Sequence, residues 1–305
     1  MHFILPFTQD DVLRAEAVPL TPLLMANANF EGVRAAFNYW VFHLRGILQG
    51  LLNPPPREQA VMGLLYRAIG YVASIRRLNS AMHVQSIASS TRSLFEVGLD
   101  LALLHQTDDS VVRIEAFTRA ERYRVAKKLV EYYANRPVPA DLSIDHQRAM
   151  VADPAQLAAI EGLIQLYWGR NRRGDLIWPK HWSAFPDARG RARAVGDIWE
   201  ERYVRHYYML SWHIHPGLAG VAGLPREIFD AFASLAFQLA TAVILDSYEV
   251  VGSELHLADA IPQWPDHMYF LQHAMGLALV DERLRTLGEP VRFTYLEPHE
   301  HEADR

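Results

Sequence analysis

The stretch Arg205-His206-Tyr207-Tyr208-Met209-Leu210-Ser211-Trp212-His213-Ile214-His215-Pro216 decides how this chain is read. Pro216 and Gly217 end it, and its pattern is that of the closing turns of a helix. Tyr208, Ser211, Trp212 and His215 recur at i, i+3, i+4 and i+7, which sets them on one helical face. A phenol, a hydroxyl, an indole and an imidazole make an odd stripe for a face meant only to pack. Buried without a partner, each polar group costs about 1–3 kcal/mol. The motif therefore predicts a polar site inside a helical protein.

Outward from the motif, helical periodicity dominates. Residues 30–52 carry Phe37, Trp40, Val41, Leu44 and Leu48 at three- and four-residue steps, and Pro54-Pro55-Pro56 then breaks the chain. Residues 58–78 read as a second helix, with Val61, Leu64, Leu65, Ile69 and Val72 inward. Residues 83–105 form a third and 109–135 a long fourth, capped by Asp108-Asp109-Ser110. Pro137-Val138-Pro139 opens a connector, Pro154 begins a helix ending near Trp168, and 169–193 reads as irregular. Residues 195–214 carry the opening motif, and 226–251 and 266–287 complete the set. No alternating strand pattern persists and no repeat of fixed period is found. The prediction is an all-α multi-helix bundle of about seven or eight helices. It forms one domain over residues 1–296, followed by a polar tail at 297–305.

The chain has 305 residues, half of them hydrophobic, so a sizeable core is expected. The net charge of −5 is too mild to imply a polyanion partner by itself. There is no cysteine, which excludes disulfides, thiolate catalysis and cysteine-ligated metals and fits a cytoplasmic protein. Residues 1–6 lack the regions of a signal peptide. The most apolar run, 231–245, is flanked by Asp230 and Asp246 and is shorter than the roughly 20 residues a span needs. It reads as a buried core helix, with no membrane partner.

A second constellation is Ser89-Ser90-Thr91-Arg92-Ser93-Leu94-Phe95-Glu96, followed by a strongly apolar run. Arg92 and Glu96 are spaced i,i+4 with Ser89, Ser93 and Asp100 on the same side. They form either an ordinary intrahelical ion pair or a paired charge held inside to orient a histidine or bind a ligand. A third is His181-Trp182-Ser183-Ala184. It lies in a segment, 170–193, with seven basic and two acidic side chains, and Tyr167, Trp168, Trp178 and Trp182 are interleaved with it. Such a segment suits either a phosphate or single-stranded nucleic-acid surface, or a solvated loop anchored by its tryptophans.

Taken together, Arg-x-x-x-Glu on an apolar helix, then His-Trp-Ser, then Tyr-x-x-Ser-x-x-x-His-Pro resemble an uncharacterised bacterial helical family, domain of unknown function 5677. The similar part covers residues 86–251. The resemblance implies Arg92, Glu96, His181, Trp182, Tyr208, Ser211 and His215 as the marked residues, with Ala184 where a glycine is expected. It implies no activity. Arg77 and His83, with five residues between them, also match the Arg-x(4–6)-His spacing of HEPN-type helical ribonucleases. Arginine and histidine are frequent enough here that one such match carries little weight, and Arg205 to His213 misses the spacing.

Neither Glu-x-x-His pairs nor His-Glu-x-x-His occur, so no metal site and no cofactor is predicted. His299-Glu300-His301-Glu302 reads as a charged tail. His215 is the expected titratable centre, with Ser211 and Tyr208 bonding a ligand or a water. Glu96 would orient His215 or neutralise Arg92, and Arg92 would face an anionic group. His181, Trp182, Arg170 and Arg173 are the expected substrate-binding residues. Two functions fit. One is a metal-independent hydrolase or nuclease-like enzyme acting on a phosphate-containing substrate such as RNA. The other is a non-catalytic helical binding or structural module whose polar cluster is a buried hydrogen-bond network. An apolar face on 268–287 is suited to pairing with a second copy of the chain.

Overall fold

The computed structural model describes residues 7–39, 53–78, 80–185, 187–214, 225–260 and 264–290. They are all-α. No strand occurs among them beyond an isolated bridge between Arg170 and Leu176. The helices are α1 (Gln9–Glu16), α2 (Pro22–Tyr39), α3 (Pro56–Ile75), α4 (Val84–Gln106), α5 (Ser110–Tyr133), α6 (Asp145–Ala152) and α7 (Pro154–Tyr167). After them come α8 (Ala188–Val195), α9 (Asp197–Arg202), a π turn (Tyr203–Tyr207), α10 (Tyr208–Ile214), α11 (Arg226–Glu254), α12 (Leu257–Ala260) and α13 (Trp264–Thr286).

The count exceeds seven or eight because short amphipathic pieces escape a periodicity search. α1 opens with a capping box between Thr8 and Asp11. α8 lies inside the stretch read as irregular, its arginines masking the buried Ala188 and Ala192. The expected cap of α5 is not formed by side chains: the Asp109 carboxylate instead accepts from Arg113 Nε at 2.8 Å. Asp153 does cap α7, accepting from the amides of Ala155 and Gln156.

Backbone contacts divide the chain into two compact units, one comprising Met1–His105 with Gly196–Arg305, the other Gln106–Val195. In the first, α2 packs on α11 and α13, and α1 on α13. Ala278 and Leu284 of α13 are buried, so part of the face expected to meet a second copy is used within the chain. Asn29 of α2 donates to Ser234 of α11 at 2.9 Å inside the core, beside a Phe30–Phe237 ring contact. α11 is long and apolar enough to cross a membrane, and 67% of its most apolar window is buried. α4 is buried on all sides from Leu94 to Leu104, apart from Glu96. At its middle, Gly98 admits the indole of Trp199 and the methyls of Val243: a Cβ there would lie 2.8 Å from Trp199 Cη2 and 2.5 Å from Val243 Cγ1.

One clamp ties three helix ends of this unit together. Arg57, at the start of α3, donates to Glu254 of α11 at 2.6 and 2.9 Å and to the last carbonyls of α4, Leu104 O at 2.8 Å and His105 O at 3.2 Å. His105 Nδ1 lies 2.7 Å from Glu254 Oε1. In the second unit, Ala120 and Tyr123 of α5 meet Ile160 and Ile164 of α7, with Leu176 and Trp178 packed against them.

Two tests follow from this packing. Gly98→Ala forces two neighbours to move and is expected to cost about 1–3 kcal/mol in denaturant unfolding. Glu254 supplies a pH dependence. Burial alone would raise its carboxyl, but the bonds from Arg57 and His105 outweigh this and hold it below the ordinary carboxylate range. The folded chain thus takes up that proton less readily than the unfolded chain. The clamp's contribution is complete above the ordinary carboxylate range and is lost as pH falls through the lowered folded value. Glu254→Gln is expected to reduce stability at neutral pH and to flatten the acid limb of a stability–pH curve.

Candidate functional site

The site forms where the opening motif meets α4, and the π turn decides which residue meets it. Tyr207 lies eight residues beyond Trp199, so on a regular helix it would be about 80° around from it. The π turn takes up an extra residue and brings Tyr207 back onto the Trp199 side. Both rings then pack on Phe95 of α4, with centroids 5.3 Å and 5.2 Å away, and Tyr203 stacks on Tyr207 at 4.9 Å. The phenol that turns inward is therefore Tyr207, not Tyr208.

Its hydroxyl sits between the charges of α4. Arg92 Nε donates to Tyr207 Oη at 2.8 Å, and Tyr207 Oη donates to Glu96 Oε1 at 2.6 Å. Arg92 and Glu96 lie 3.3 Å apart, both about a third exposed. Burial pushes the phenol well above its usual value, the Glu96 carboxylate adds to this, and Arg92 only partly opposes it. Tyr207 stays a protonated donor. Burial lowers the Arg92 guanidinium, but Tyr207 and Glu96 more than offset this and leave it raised.

Beside the network is a cleft of about 250 Å³, lined by Arg67 and Tyr71 of α3 and by Ser89, Arg92, Ser93 and Glu96 of α4. Arg67, Tyr71, Ser89 and Ser93 make no hydrogen bond or ion pair among the described residues. Arg92 commits its Nε to Tyr207 and leaves its terminal amino groups without a hydrogen-bond partner among those residues. Four of these residues, Ser89, Arg92, Ser93 and Glu96, were grouped by spacing alone. Spacing around Arg92 does not reach Arg67 and Tyr71, an i,i+4 polar pair flanking the buried face of Val61, Leu65 and Val72.

The described members of the opening stripe do not line the cleft. Tyr208 and Trp212 are 54% and 56% exposed and touch edge to face at 5.6 Å. Ser211 Oγ donates to Tyr207 O at 3.1 Å, one turn back on its own helix. His215 lies outside the described residues. His206 is half-buried, its Nδ1 without a hydrogen-bond partner among the described residues; burial lowers its pKa, and Arg205 and Arg202 add to this. Arg77 falls in the turn after α3 and His83 in a short 3-10 turn before α4, so they do not share a helix.

The second unit holds the His-Trp-Ser segment. Arg191 of α8 is buried and donates from Nη1 to His181 Nε2 at 2.9 Å. The Ser183 amide faces Nδ1 of the same ring at 3.1 Å, and Ser183 Oγ lies 2.9 Å from it. Ser183 Oγ also donates to Phe185 O at 3.3 Å. Trp182 is buried and Trp178 stacks on Tyr123 at 6.3 Å, so both indoles anchor the loop. Arg170 donates to Gly174 O and Gln165 Oε1, closing the turn, while Arg173 is exposed.

Residues 58–224 match the family described as "Family of unknown function (DUF5677)", more than half of the chain, and the chain belongs to that family. Neither a curated protein nor a solved structure matches it.

The register set by the π turn can be checked by comparing neighbouring tyrosines. Tyr207→Phe removes a phenol bonded to two charges and is expected to cost about 1.5–3 kcal/mol of stability. Tyr208→Phe, on the exposed face, is expected to stay within about 0.5 kcal/mol. Equal effects in chemical denaturation would refute the inward placement of Tyr207.

Proposed function

For this member of the family, we propose a helical binding module whose cleft between α3 and α4 holds a phosphate-containing ligand. The observation that carries this is the convergence of unspent donors. The Arg92 terminal amino groups, the Arg67 guanidinium and the hydroxyls of Tyr71, Ser89 and Ser93 border one cleft without protein partners among the described residues. Guanidinium forks match the paired oxygens of phosphate, and charge-assisted bonds of this kind are the strong ones.

Binding is favoured over hydrolysis by the state of the groups present. Glu96 accepts the Tyr207 hydroxyl, and Tyr207 is held protonated. Tyr207 is therefore not poised to take a proton from an attacking water. The inward packing of Trp178 and Trp182 also favours a small ligand over RNA stacked on the basic loop.

Arg67 supplies the clean test, because it is exposed and makes no hydrogen bond or ion pair among the described residues that a variant would break. Calorimetric titration with inorganic phosphate is expected to show saturable binding that weakens with added salt. Arg67→Ala is expected to reduce affinity about tenfold or more at unchanged thermal stability. Identical isotherms for the two proteins would sink the proposal.

A further inference from the structure

We infer that the ligand of this cleft is a small hydroxylated phosphate monoester, of the polyol or sugar phosphate class; this rests on the binding reading above. The order of groups along the cleft carries the inference. Arg57 at the start of α3 reaches the carbonyls of Leu104 and His105 at the end of α4, so the two helices run antiparallel. With equal rise from that end, Arg67 falls level with about Leu94 and Tyr71 with about Ser90. The guanidiniums of Arg67 and Arg92 thus form a cationic centre. Tyr71 and Ser89 place two hydroxyls on one flank, and Glu96 places a negative charge on the other. From Ser89 to Glu96 the cleft spans roughly 10 Å.

Each part of that order excludes a ligand class. At its end Glu96 presents acceptor oxygens, already bonded by Tyr207 and ion-paired with Arg92, rather than a donor, which favours monoesters over diphosphates and polyphosphates. Tyr71 is the single ring among the described lining residues, so a purine finds one stacking face at most and an acyl chain gains little apolar burial. The volume, about 250 Å³, is below the range of roughly 300–1,000 Å³ usual for drug-sized ligands. Inorganic phosphate would satisfy the centre and leave Tyr71 and Ser89 to water. A monoester bearing hydroxyls reaches both, since a hydroxyl donates and accepts with equal ease.

The test titrates the full chain with inorganic phosphate, ribose monophosphate, adenosine monophosphate and inorganic diphosphate. Ribose monophosphate is expected to bind about tenfold tighter than inorganic phosphate. Adding adenine should bring no gain, and diphosphate should bind more weakly than phosphate. The double variant Tyr71→Phe/Ser89→Ala is expected to bind ribose monophosphate no more tightly than it binds inorganic phosphate, losing the tenfold preference. Equal binding of phosphate and ribose monophosphate, or a marked gain from adenine, overturns the ligand class and leaves the phosphate cleft standing. Failure of every phosphate compound, including inorganic phosphate, overturns the cleft and the ligand class together.

Discussion

The Tyr207 hydroxyl, held between Arg92 and Glu96, is the contact on which the site depends. An arginine and a glutamate one turn apart on a half-exposed helix edge are worth little as an ion pair alone. The phenol changes their situation. It brings a neutral donor and acceptor on the end of a ring buried against Phe95, so the polar end of the aromatic stack finds both a donor and an acceptor. The guanidinium is oriented through Nε, and the rest of the Arg92 side chain borders the cleft.

That arrangement needs close helix approach. Gly98 lets the Trp199 indole sit directly on α4, and Trp199 and Tyr207 then share Phe95 as a floor. The π turn is the backbone adjustment that lets both rings face the same way. Farther along the same helix, Arg57 closes the opposite end by capping the α4 carbonyls, and Glu254 holds Arg57 in place. α4 is therefore fixed at its middle by sterics and at its end by charge, and its polar edge borders the cleft.

The second unit uses a buried charge differently. Arg191 faces His181 Nε2, and Ser183 meets Nδ1 of the same ring through its amide and its hydroxyl. What reads in sequence as a histidine near a serine is, in space, a ring held between a buried arginine and its own loop. Tryptophans among the arginines likewise read as a stacking surface, yet Trp178 and Trp182 face inward.

The sequence by itself determined the all-α class, the burial of α4, and the grouping of Ser89, Arg92, Ser93 and Glu96. All of these depend on helical spacing within one element, a local property written into residue order. It also carried the family resemblance, through motifs that stand at fixed positions along the chain. Only the tertiary structure decided that Tyr207 rather than Tyr208 turns inward. A regular period of 3.6 residues cannot foresee a π turn, and one added residue changes the face. The contributions of Arg67 and Tyr71, and the partnership of Arg191 with His181, came from the same level. Such pairings join residues distant along the chain, and they are set by how helices pack rather than by the order of residues within any one of them.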